Sequence, residues 1–372
     1  MIFMCESKDL KKALTQIKPA VPKMSSLPAL QRVKMVTSKN GVTIRGTNLE
    51  IAIQVKMLCH VDERGIGYAE LKPVLDALPK KNEKVLVSYD KDGLVVNTKT
   101  DGFTDEFVIK DMSKQFPDFP NVALTTDIEL DGAVEKILPF VSTEETRHFL
   151  NGFYLRGNAH LRLVATDGRR LIEVCRKWPA DVEVGFIIPT AAAKVLAKME
   201  DPIRMGWLSE PVYQGGGEEK KETLTTAMFK SNGLTLATRF LQGEYPDYES
   251  ILKPAYECSD VQVFINREEL LKSMKEIGDA IKPKPGVQFS FQHRSVTMTG
   301  KKNGLTVNRE MVVVQDVEDE WSIVFNHKYL VDTLKSMECE EIALRTKMDG
   351  LSPVAFLGDD DIQSIMMPLK VK

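Results

Sequence analysis

The sequence predicts an α+β fold built from three similar domains, each with two helices packed on antiparallel sheet. The chain of 372 residues exceeds the size at which a single hydrophobic core keeps growing, so two or three domains of ~100 to 150 residues are expected. An amphipathic helix pattern followed by a strand, a two-residue turn signal and a second strand occurs three times. A further helix pattern precedes each of these groups, which indicates repetition of one module.

Each repeated group combines an amphipathic helix with a predicted β-hairpin. Apolar residues follow the spacing of one helix face between Ala69 and Leu78, between Thr190 and Met199, and between Asn326 and Met337. Alternating strand residues then surround an Asp-Gly or Asn-Gly pair, the strongest short signal of a hairpin. These pairs are Asp92-Gly93, Asn232-Gly233 and Asp349-Gly350.

The second class of helix lies earlier in each copy, and strand pairs follow it. Asn266 and Glu269 are spaced as a capping box at the start of the third of these helices. Similar strand pairs begin near Leu30 and near Leu150, whereas the third copy keeps the plan more loosely. The apolar positions of these helices are Leu10, Leu14 and Ile17, then Val134, Ile137 and Leu138, then Leu270, Met274, Ile277 and Ile281.

Turn-rich segments suggest the domain boundaries. Residues 116–121 (FPDFPN) and 244–257 (EYPDY through ILKPAYE) separate three predicted domains, residues 1–122, 123–254 and 255–372. The Gly-rich, charged stretch at 210–222 is typical of a mobile hairpin loop inside the second domain.

Composition excludes several classes of protein. With 43% hydrophobic and 28% charged residues the chain is typical of a soluble globular protein, and its apolar runs are far shorter than the roughly 20 residues of a membrane span. No secretory signal pattern begins the sequence, so we expect a cytoplasmic protein. Five well-separated cysteines without a C-x-x-C pair predict reduced thiols and no zinc site. A net charge of -3 means that any DNA contact must come from local clustering of basic residues.

The sequence lacks the motifs of common catalytic sites. Gly215 to Gly217 do not belong to a P-loop, and none of the five histidines has a metal-ligand spacing. The run Asp359 to Asp361 follows Gly358 at a predicted turn, which favours a solvated loop over a metal-bound nuclease site. We therefore expect no enzyme activity, no cofactor and no bound metal.

Six motifs in register resemble one known family. At 165–171 (ATDGRRL), 240–248 (FLQGEYPDY) and 366–370 (MMPLK) the sequence resembles the bacterial DNA polymerase III beta subunit, the beta sliding clamp family. The likeness continues at 27–30 (LPAL), 46–51 (GTNLEI) and 147–152 (RHFLNG), and it spans the whole chain.

The resemblance implies a ring of two head-to-tail subunits, with helices lining a hole for duplex DNA and sheets outside. It implies a replicative DNA polymerase, an ATP-dependent clamp loader and other proteins with clamp-binding peptides as partners. A head-to-tail contact closes into a ring when the rotation from one subunit to the next divides a full circle. Three similar modules in each chain suit such closure, because two chains then supply six similar domains around the ring. A scaffold of repeated domains that never meets DNA, an enzyme acting on DNA and a two-domain clamp that assembles as a trimer are the competing hypotheses.

The resemblance also implies a pocket for partner peptides, with an apolar floor and a few polar groups at its edge. Arg169 stands where many family members have histidine, and Ser250 where some have arginine, so the peptide preference stays open. A plain turn at Thr166 to Gly168, or an ordinary core strand at Met366 and Met367, would explain the same residues. The implied lining is Leu150, Thr166, Gly168, Arg169, Arg170, Leu171, Pro246, Ile251, Ile365, Met366, Met367, Pro368 and Leu369.

Lysines on the polar faces of the predicted helices are candidate DNA contacts. The six helices carry a net positive charge and the remainder a negative one, although a solvated helix face would give a similar pattern. Phosphate contacts supply affinity without reading sequence. His148 and Phe149 occupy positions that are often aromatic in the family, and a core position is the alternative for Phe149. The candidate contacts are Lys11, Lys12, Lys23, Lys72, Lys80, His148, Phe149, Lys194, Lys198, Lys272, Lys275 and Lys335.

The ring seam implied by the resemblance joins the first and third domains of two subunits. Phe107 of the first domain would meet Ala280 and Ile281 of the third. Apolar residues on both sides would form a small buried centre.

Overall fold

A computed structural model describes residues 1–100, 103–109, 116–213, 220–257, 261–281 and 286–370. Within them, the chain forms two compact units. Unit 1 contains residues 1–129 and 194–240, and unit 2 contains residues 130–193 and 241–372. Both combine helices with antiparallel sheet, which confirms the predicted α+β class. In the described ranges, no helix is long and apolar enough to cross a membrane.

The first third of the chain contributes most of unit 1. Its elements are β1 (Ile2–Glu6), α1 (Ser7–Ile17), β2 (Arg32–Ser38), β3 (Gly41–Thr47), β4 (Ile51–Leu58), β5 (His60–Glu63), β6 (Ile66–Glu70), α2 (Leu71–Ala77), β7 (Lys84–Asp90), β8 (Gly93–Thr100) and β9 (Phe103–Ile109).

The middle third contributes to both units, and the last third belongs to unit 2. The middle elements are β10 (Thr126–Ile128), α3 (Ala133–Ile137), β11 (Gly152–Gly157), β12 (His160–Thr166), β13 (Arg170–Lys177), β14 (Val184–Pro189), α4 (Thr190–Leu196), β15 (Ile203–Tyr213), β16 (Lys220–Ser231) and β17 (Leu234–Arg239). The last are α5 (Glu249–Glu257), β18 (Val261–Asn266), α6 (Arg267–Ile281), β19 (Gly286–Lys302), β20 (Leu305–Asn326), α7 (His327–Ser336), β21 (Glu341–Thr346), β22 (Val354–Leu357) and β23 (Ile362–Met366).

Unit 1 contains two sheets. The described strands follow the order β5-β1-β7-β8-β9 in one sheet and β10-β15-β16-β17-β4-β3-β2-β6 in the other. Helix α1 packs on β3 and β4. Its residues Leu10, Leu14 and Ile17 are completely buried, so the predicted apolar face is confirmed.

Unit 2 contains an eight-stranded sheet with the order β14-β11-β12-β13-β23-β22-β21-β18 and the long hairpin β19-β20. Helix α6 buries Leu270, Met274 and Ile277, as its spacing predicts. The Asn266 side chain accepts a hydrogen bond of 3.0 Å from the Glu269 backbone N–H at the start of α6, which confirms the capping residue.

The predicted hairpins form with different turns. Asn232 and Gly233 both have positive φ, 41° and 80°, as a two-residue type I′ turn requires, and they connect β16 to β17. In the first copy the turn residues are Lys91 and Asp92, because Gly93 already pairs with Asp90.

The third copy corrects the prediction of a two-residue turn. The Asp349 side chain accepts hydrogen bonds from the backbone N–H groups of Leu351 and Ser352, so a longer side-chain-capped loop joins β21 to β22.

Helix α5 lies where only a boundary was predicted. Pro254 inside this helix obscured its pattern, because proline ordinarily breaks a helix interior. Of the predicted mobile loop at 210–222, residues 214–219 lie outside the described residues, whereas residues 210–213 and 220–222 belong to strands β15 and β16. The three-domain division of the sequence stays a prediction.

Candidate functional site

The turn between β12 and β13 is held by its own side chains. Thr166 Oγ1 donates to the Arg170 carbonyl at 2.7 Å and accepts from the Gly168 N–H at 3.0 Å. Asp167 Oδ1 accepts from the backbone N–H groups of Arg169 and Arg170 at 2.9 and 3.1 Å. Gly168 has a φ of 83°, and a Cβ there would lie 2.5 Å from Arg147 Nη1. The positive φ therefore favours glycine, and a side chain at this position would displace the flexible end of Arg147.

The Arg170 side chain is buried and fully engaged within unit 2. Its guanidinium forms ion pairs with Asp167 at 3.1 Å and with Asp332 of α7 at 3.0 Å. It also lies over the rings of Phe140 and Tyr329, with 4.6 and 4.0 Å from the guanidinium carbon to the ring centroids. Arg170 thus connects the turn to α7, and its charge does not face solvent.

An apolar floor lies beside this turn. Leu171 pairs with Ile365 across β13 and β23, and both are about 5% exposed or less. They belong to a cluster with Val164, Tyr248 and Leu252. The floor therefore spans the last strand, the β12-β13 hairpin and the segment that leads into α5.

Exposed apolar side chains form the rim of this floor. Met367 is 42% exposed and Ile251 is 51% exposed. Met366, in contrast, is completely buried, so the core-strand alternative describes Met366 but not Met367. Of the other predicted lining residues, Leu150 is buried, Pro368 and Leu369 are half-buried, and Pro246 and Arg169 are exposed. We call this region the partner pocket, after the role that the resemblance implies, and define it by the predicted lining residues given above.

A buried polar group lies next to the partner pocket. Glu173, 4% exposed, faces Arg162, whose guanidinium Nη1 lies 3.8 Å from Glu173 Oε2 and 3.0 Å from Glu249 Oε1. Burial, reinforced by the Glu173 carboxylate, raises the pKa of Tyr248 well above its usual range. Burial also raises the pKa of the Cys175 thiol to about 11. These phenol and thiol groups are neutral at physiological pH.

The lysines predicted to contact DNA are all exposed. They lie on α1, α2, α4, α6 and α7 or in the segments next to them. In unit 1 they concentrate around a groove of about 390 Å³, the basic groove, lined by Lys8, Lys11, Lys12, Lys80 and Lys81. Lys8 and Lys81 were not among the candidate contacts selected from the sequence. Only the folded chain brings the end of α2 beside α1.

Of the remaining candidates, His148 and Phe149 lie in a 3-10 helical segment, Glu145–Leu150, and Lys23 lies in a bend before β2. His148 is exposed and Phe149 is half-buried, with their rings edge to face at 5.9 Å. Phe149 is therefore not a core residue. Lys23 is exposed beside Met24, which is 88% exposed.

The predicted seam residues differ in exposure. Phe107 is 41% exposed on β9, which forms an edge of its sheet among the described strands. Ala280 is exposed, but Ile281 is only 4% exposed. The Ile281 side chain thus belongs to the core of unit 2, and Ala280 presents the surface.

No cluster of three or more candidate metal ligands occurs in the ranges that the structure describes. Asp361 forms an ion pair with Arg176, and Asp359 Oδ2 accepts a hydrogen bond of 2.7 Å from the Glu338 backbone N–H. Two of the three carboxylates of the acidic run are therefore engaged in structure. Cys5, Cys59, Cys175 and Cys339 are free thiols.

Comparison with known proteins identifies relatives along the whole chain. Residues 1–123 match the sequence model of the DNA polymerase III beta subunit N-terminal domain, and residues 257–370 match that of its C-terminal domain. The beta sliding clamp of Synechocystis sp. is 24% identical, with 100% of each chain covered. The beta sliding clamp of Chlamydia muridarum is also 24% identical, over 100% of this chain and 99% of the relative.

Solved structures share the fold. The DNA polymerase sliding clamp from Bacillus subtilis superposes with a TM-score of 0.85 at 21% identity, with 100% of both chains covered. The DNA polymerase III beta subunit from Thermotoga maritima gives a TM-score of 0.81 at 22% identity, again over 100% of both chains.

Proposed function

The chain belongs to the DNA polymerase III beta subunit family, and from this premise we propose that it is a sliding clamp. It encircles duplex DNA and tethers a replicative polymerase to it. The observation that carries the proposal is the match of both terminal thirds of the chain to the domains of this family. The chain itself performs no catalysis, needs no cofactor and works in the cytoplasm.

The ring consists of two chains joined head to tail. Phe107 and Val108, 41% and 52% exposed on the edge strand β9, provide an apolar surface on one side of the contact. Ala280 at the end of α6 provides the other side, and the buried Ile281 supports it from within. An exposed edge strand is a natural template for pairing with another chain.

DNA is held by charge without sequence preference. The exposed lysines of the helices and of the basic groove contact phosphates, and His148 and Phe149 offer ring faces to sugar or base. Such contacts weaken as salt rises, because binding releases counterions from DNA. This kind of binding suits a protein that slides.

Partner proteins insert apolar side chains into the partner pocket. The open rim of Ile251 and Met367 above the floor of Leu171 and Ile365 supports this role, because adaptable apolar surfaces suit several partners. The replicative polymerase and an ATP-dependent clamp loader are the expected partners, together with other proteins that carry clamp-binding peptides. Arg170 shapes the pocket from within, whereas Arg169 at the surface is free to set peptide preference.

Topological retention on DNA tests this proposal against a DNA-independent scaffold. We expect the native mass of a dimer, and retention on circular DNA after loading that is lost when the DNA is linearised. A monomer that stays on linearised DNA would contradict encirclement. Nuclease or polymerase activity that co-purifies with the chain would favour the enzyme alternative.

A further inference from the structure

Unit 1 contains a turn with the same hydrogen bonds as the turn of the partner pocket. Between β3 and β4, Thr47 Oγ1 donates to the Ile51 carbonyl and accepts from the Leu49 N–H, both at 3.0 Å. Asn48 Oδ1 accepts from the N–H groups of Glu50 and Ile51 at 3.0 and 2.8 Å. Leu49 has a φ of 75°, which matches the left-handed backbone of Gly168. Residues 47–51 are thus the counterpart of residues 166–170.

The strand pairing beside the two turns is also equivalent. Ile51 pairs with Thr238 across β4 and β17, as Arg170 pairs with Met366 across β13 and β23. Just beyond these pairs, the Arg239 N–H donates to the Glu50 carbonyl at 2.9 Å. In unit 2, the Met367 N–H donates to the Arg169 carbonyl at 2.8 Å. Unit 1 therefore repeats the backbone arrangement beside the partner pocket, with the same turn and the same strand pairing.

The two segments that begin at Phe116 and Tyr245 share a sequence pattern, but the residues that follow the pattern pack differently. Residues 116–119 (FPDF) and 245–248 (YPDY) both read aromatic, proline, aspartate, aromatic. After them, Val122 is 6% exposed and packs against Ala52 and Ala237 in unit 1. Ile251, at the same distance from its motif, is 51% exposed in unit 2. In unit 1 the segment thus covers part of the floor.

A groove of about 290 Å³ remains open beside this covered floor. Phe119, Leu124 and Met228 contribute apolar surface to it, and Arg45 and Lys230 contribute positive charge. We call it the Arg45 groove, defined by these five residues together with Gln54. None of the described residues that line it is acidic.

The Arg45 guanidinium is positioned but not neutralised. Its Nε donates to Gln54 Oε1 at 2.8 Å, and its carbon lies 5.6 Å from the centroid of the Phe119 ring. Among the residues that the structure describes, no carboxylate forms an ion pair with Arg45 or Lys230. The terminal nitrogens of Arg45 are consequently available for a carboxylate, which a planar guanidinium binds with two parallel hydrogen bonds.

We propose that the Arg45 groove is a second docking site, which takes a short acidic peptide segment of a partner protein. A peptide carboxylate pairs with Arg45 and Lys230, and a neighbouring apolar side chain packs against Phe119 and Met228. The partner pocket differs in that its rim is mainly apolar, so the two sites select different peptides. This role goes beyond the proposed clamp function and does not require DNA for its test.

Selection from a random dodecapeptide library on the full chain identifies what the groove binds. The chain used for the selection carries Ile251→Lys and Met367→Lys, which remove binding at the partner pocket. We expect enriched peptides to combine acidic with apolar residues and to bind about tenfold more weakly after Arg45→Glu/Lys230→Glu. The matched control, Lys39→Glu/Lys84→Glu, reverses the same charge at exposed lysines of unit 1 outside the groove and should change affinity less than about twofold.

A second measurement locates the bound peptide and guards against misfolding. The methyl resonance of Met228 should shift saturably with peptide in the otherwise unaltered chain, while that of Met367 stays in place. Arg45→Gln/Lys230→Gln, which removes the charges without reversing them, should weaken binding in the same direction. Lack of enrichment over an unrelated protein, equal binding by the groove and control variants, or a shift of Met367 alone would overturn the proposal.

Discussion

The guanidinium carbon of Arg170 lies 4.0 Å from the centroid of the Tyr329 ring, and Arg170 Nη1 lies 3.0 Å from Asp332 Oδ2 in the same helix. The Arg170 side chain is only 3% exposed, and the side chains of Asp167 and Asp332 are 15% and 17% exposed. The positive charge of Arg170 neutralises these two carboxylates, which would otherwise be largely buried without a counter-ion. The partner pocket consequently depends on α7, which supplies none of its predicted lining.

Arg170→Met should destabilise unit 2 strongly. The methionine fills similar space but leaves Asp167 and Asp332 unpaired, and breaking a buried ion pair costs about 3 to 5 kcal/mol. Arg309→Met is the matched control, because Arg309 and Glu276 form a pair with both side chains more than 40% exposed. It should cost less than about 1 kcal/mol. Denaturant unfolding measures both values, and equal losses would show that burial does not matter here.

Met367→Lys should weaken the binding of partner proteins at the partner pocket. A lysine at the rim places a charge where an apolar anchor would be buried, so polymerase tethering should fall about tenfold or more. Leu351→Lys alters a residue of unit 2 that is 54% exposed and lies outside the partner pocket, and it should leave tethering unchanged. Product length on primed circular DNA is the measurement. Unchanged product length with Met367→Lys, or an equal decrease with Leu351→Lys, would contradict the assignment.

The local sequence pattern was sufficient to predict much of the fold but only part of the site. Leu10, Leu14 and Ile17 face the core of unit 1 because helical periodicity alone sorts them. Arg170 could not be interpreted in this way, since Asp332 lies 162 residues further along the chain. The resemblance placed Arg170 in the pocket lining. Only the tertiary structure shows that ion pairs with Asp167 and Asp332 neutralise its charge inside the fold.

Lys11→Ala/Lys12→Ala should reduce the salt dependence of DNA binding. Each lost phosphate contact lowers the slope of log affinity against log salt by about 0.9, so the slope should fall by nearly 2. Lys39→Ala/Lys84→Ala removes two exposed lysines of unit 1 outside the basic groove and should leave the slope nearly unchanged. Titrations of duplex DNA at several salt concentrations provide the slopes. A similar decrease in both variants would indicate a general charge effect.

Leu49→Gly and Gly168→Leu should have opposite effects on stability. Leu49 is 47% exposed and has a φ of 75°, a conformation that costs an L-residue about 1 to 2 kcal/mol. Glycine relieves this strain but loses about 0.5 to 1 kcal/mol through the entropy of the unfolded chain, so a net gain of about 0 to 1.5 kcal/mol is expected. Gly168→Leu introduces the strain and a clash with Arg147, so it should destabilise by about 2 kcal/mol. Destabilisation by both substitutions would contradict the equivalence of the turns.

Cys5 should make unit 1 sensitive to alkaline pH. Burial raises the pKa of its thiol from 9.0 to about 12, so between these values the unfolded chain has released a proton that the folded chain retains. Stability therefore falls as pH rises above the unfolded pKa, with a contribution that approaches about 1.4 kcal/mol per pH unit. Cys5→Ala should flatten the decline in unfolding free energy between about pH 9 and pH 11. Val85→Ala, which truncates the residue paired with Cys5, should lower stability at every pH without changing the slope. If the unfolding free energies of Cys5→Ala and of the parent chain decline with pH at the same slope, the alkaline sensitivity comes from other groups.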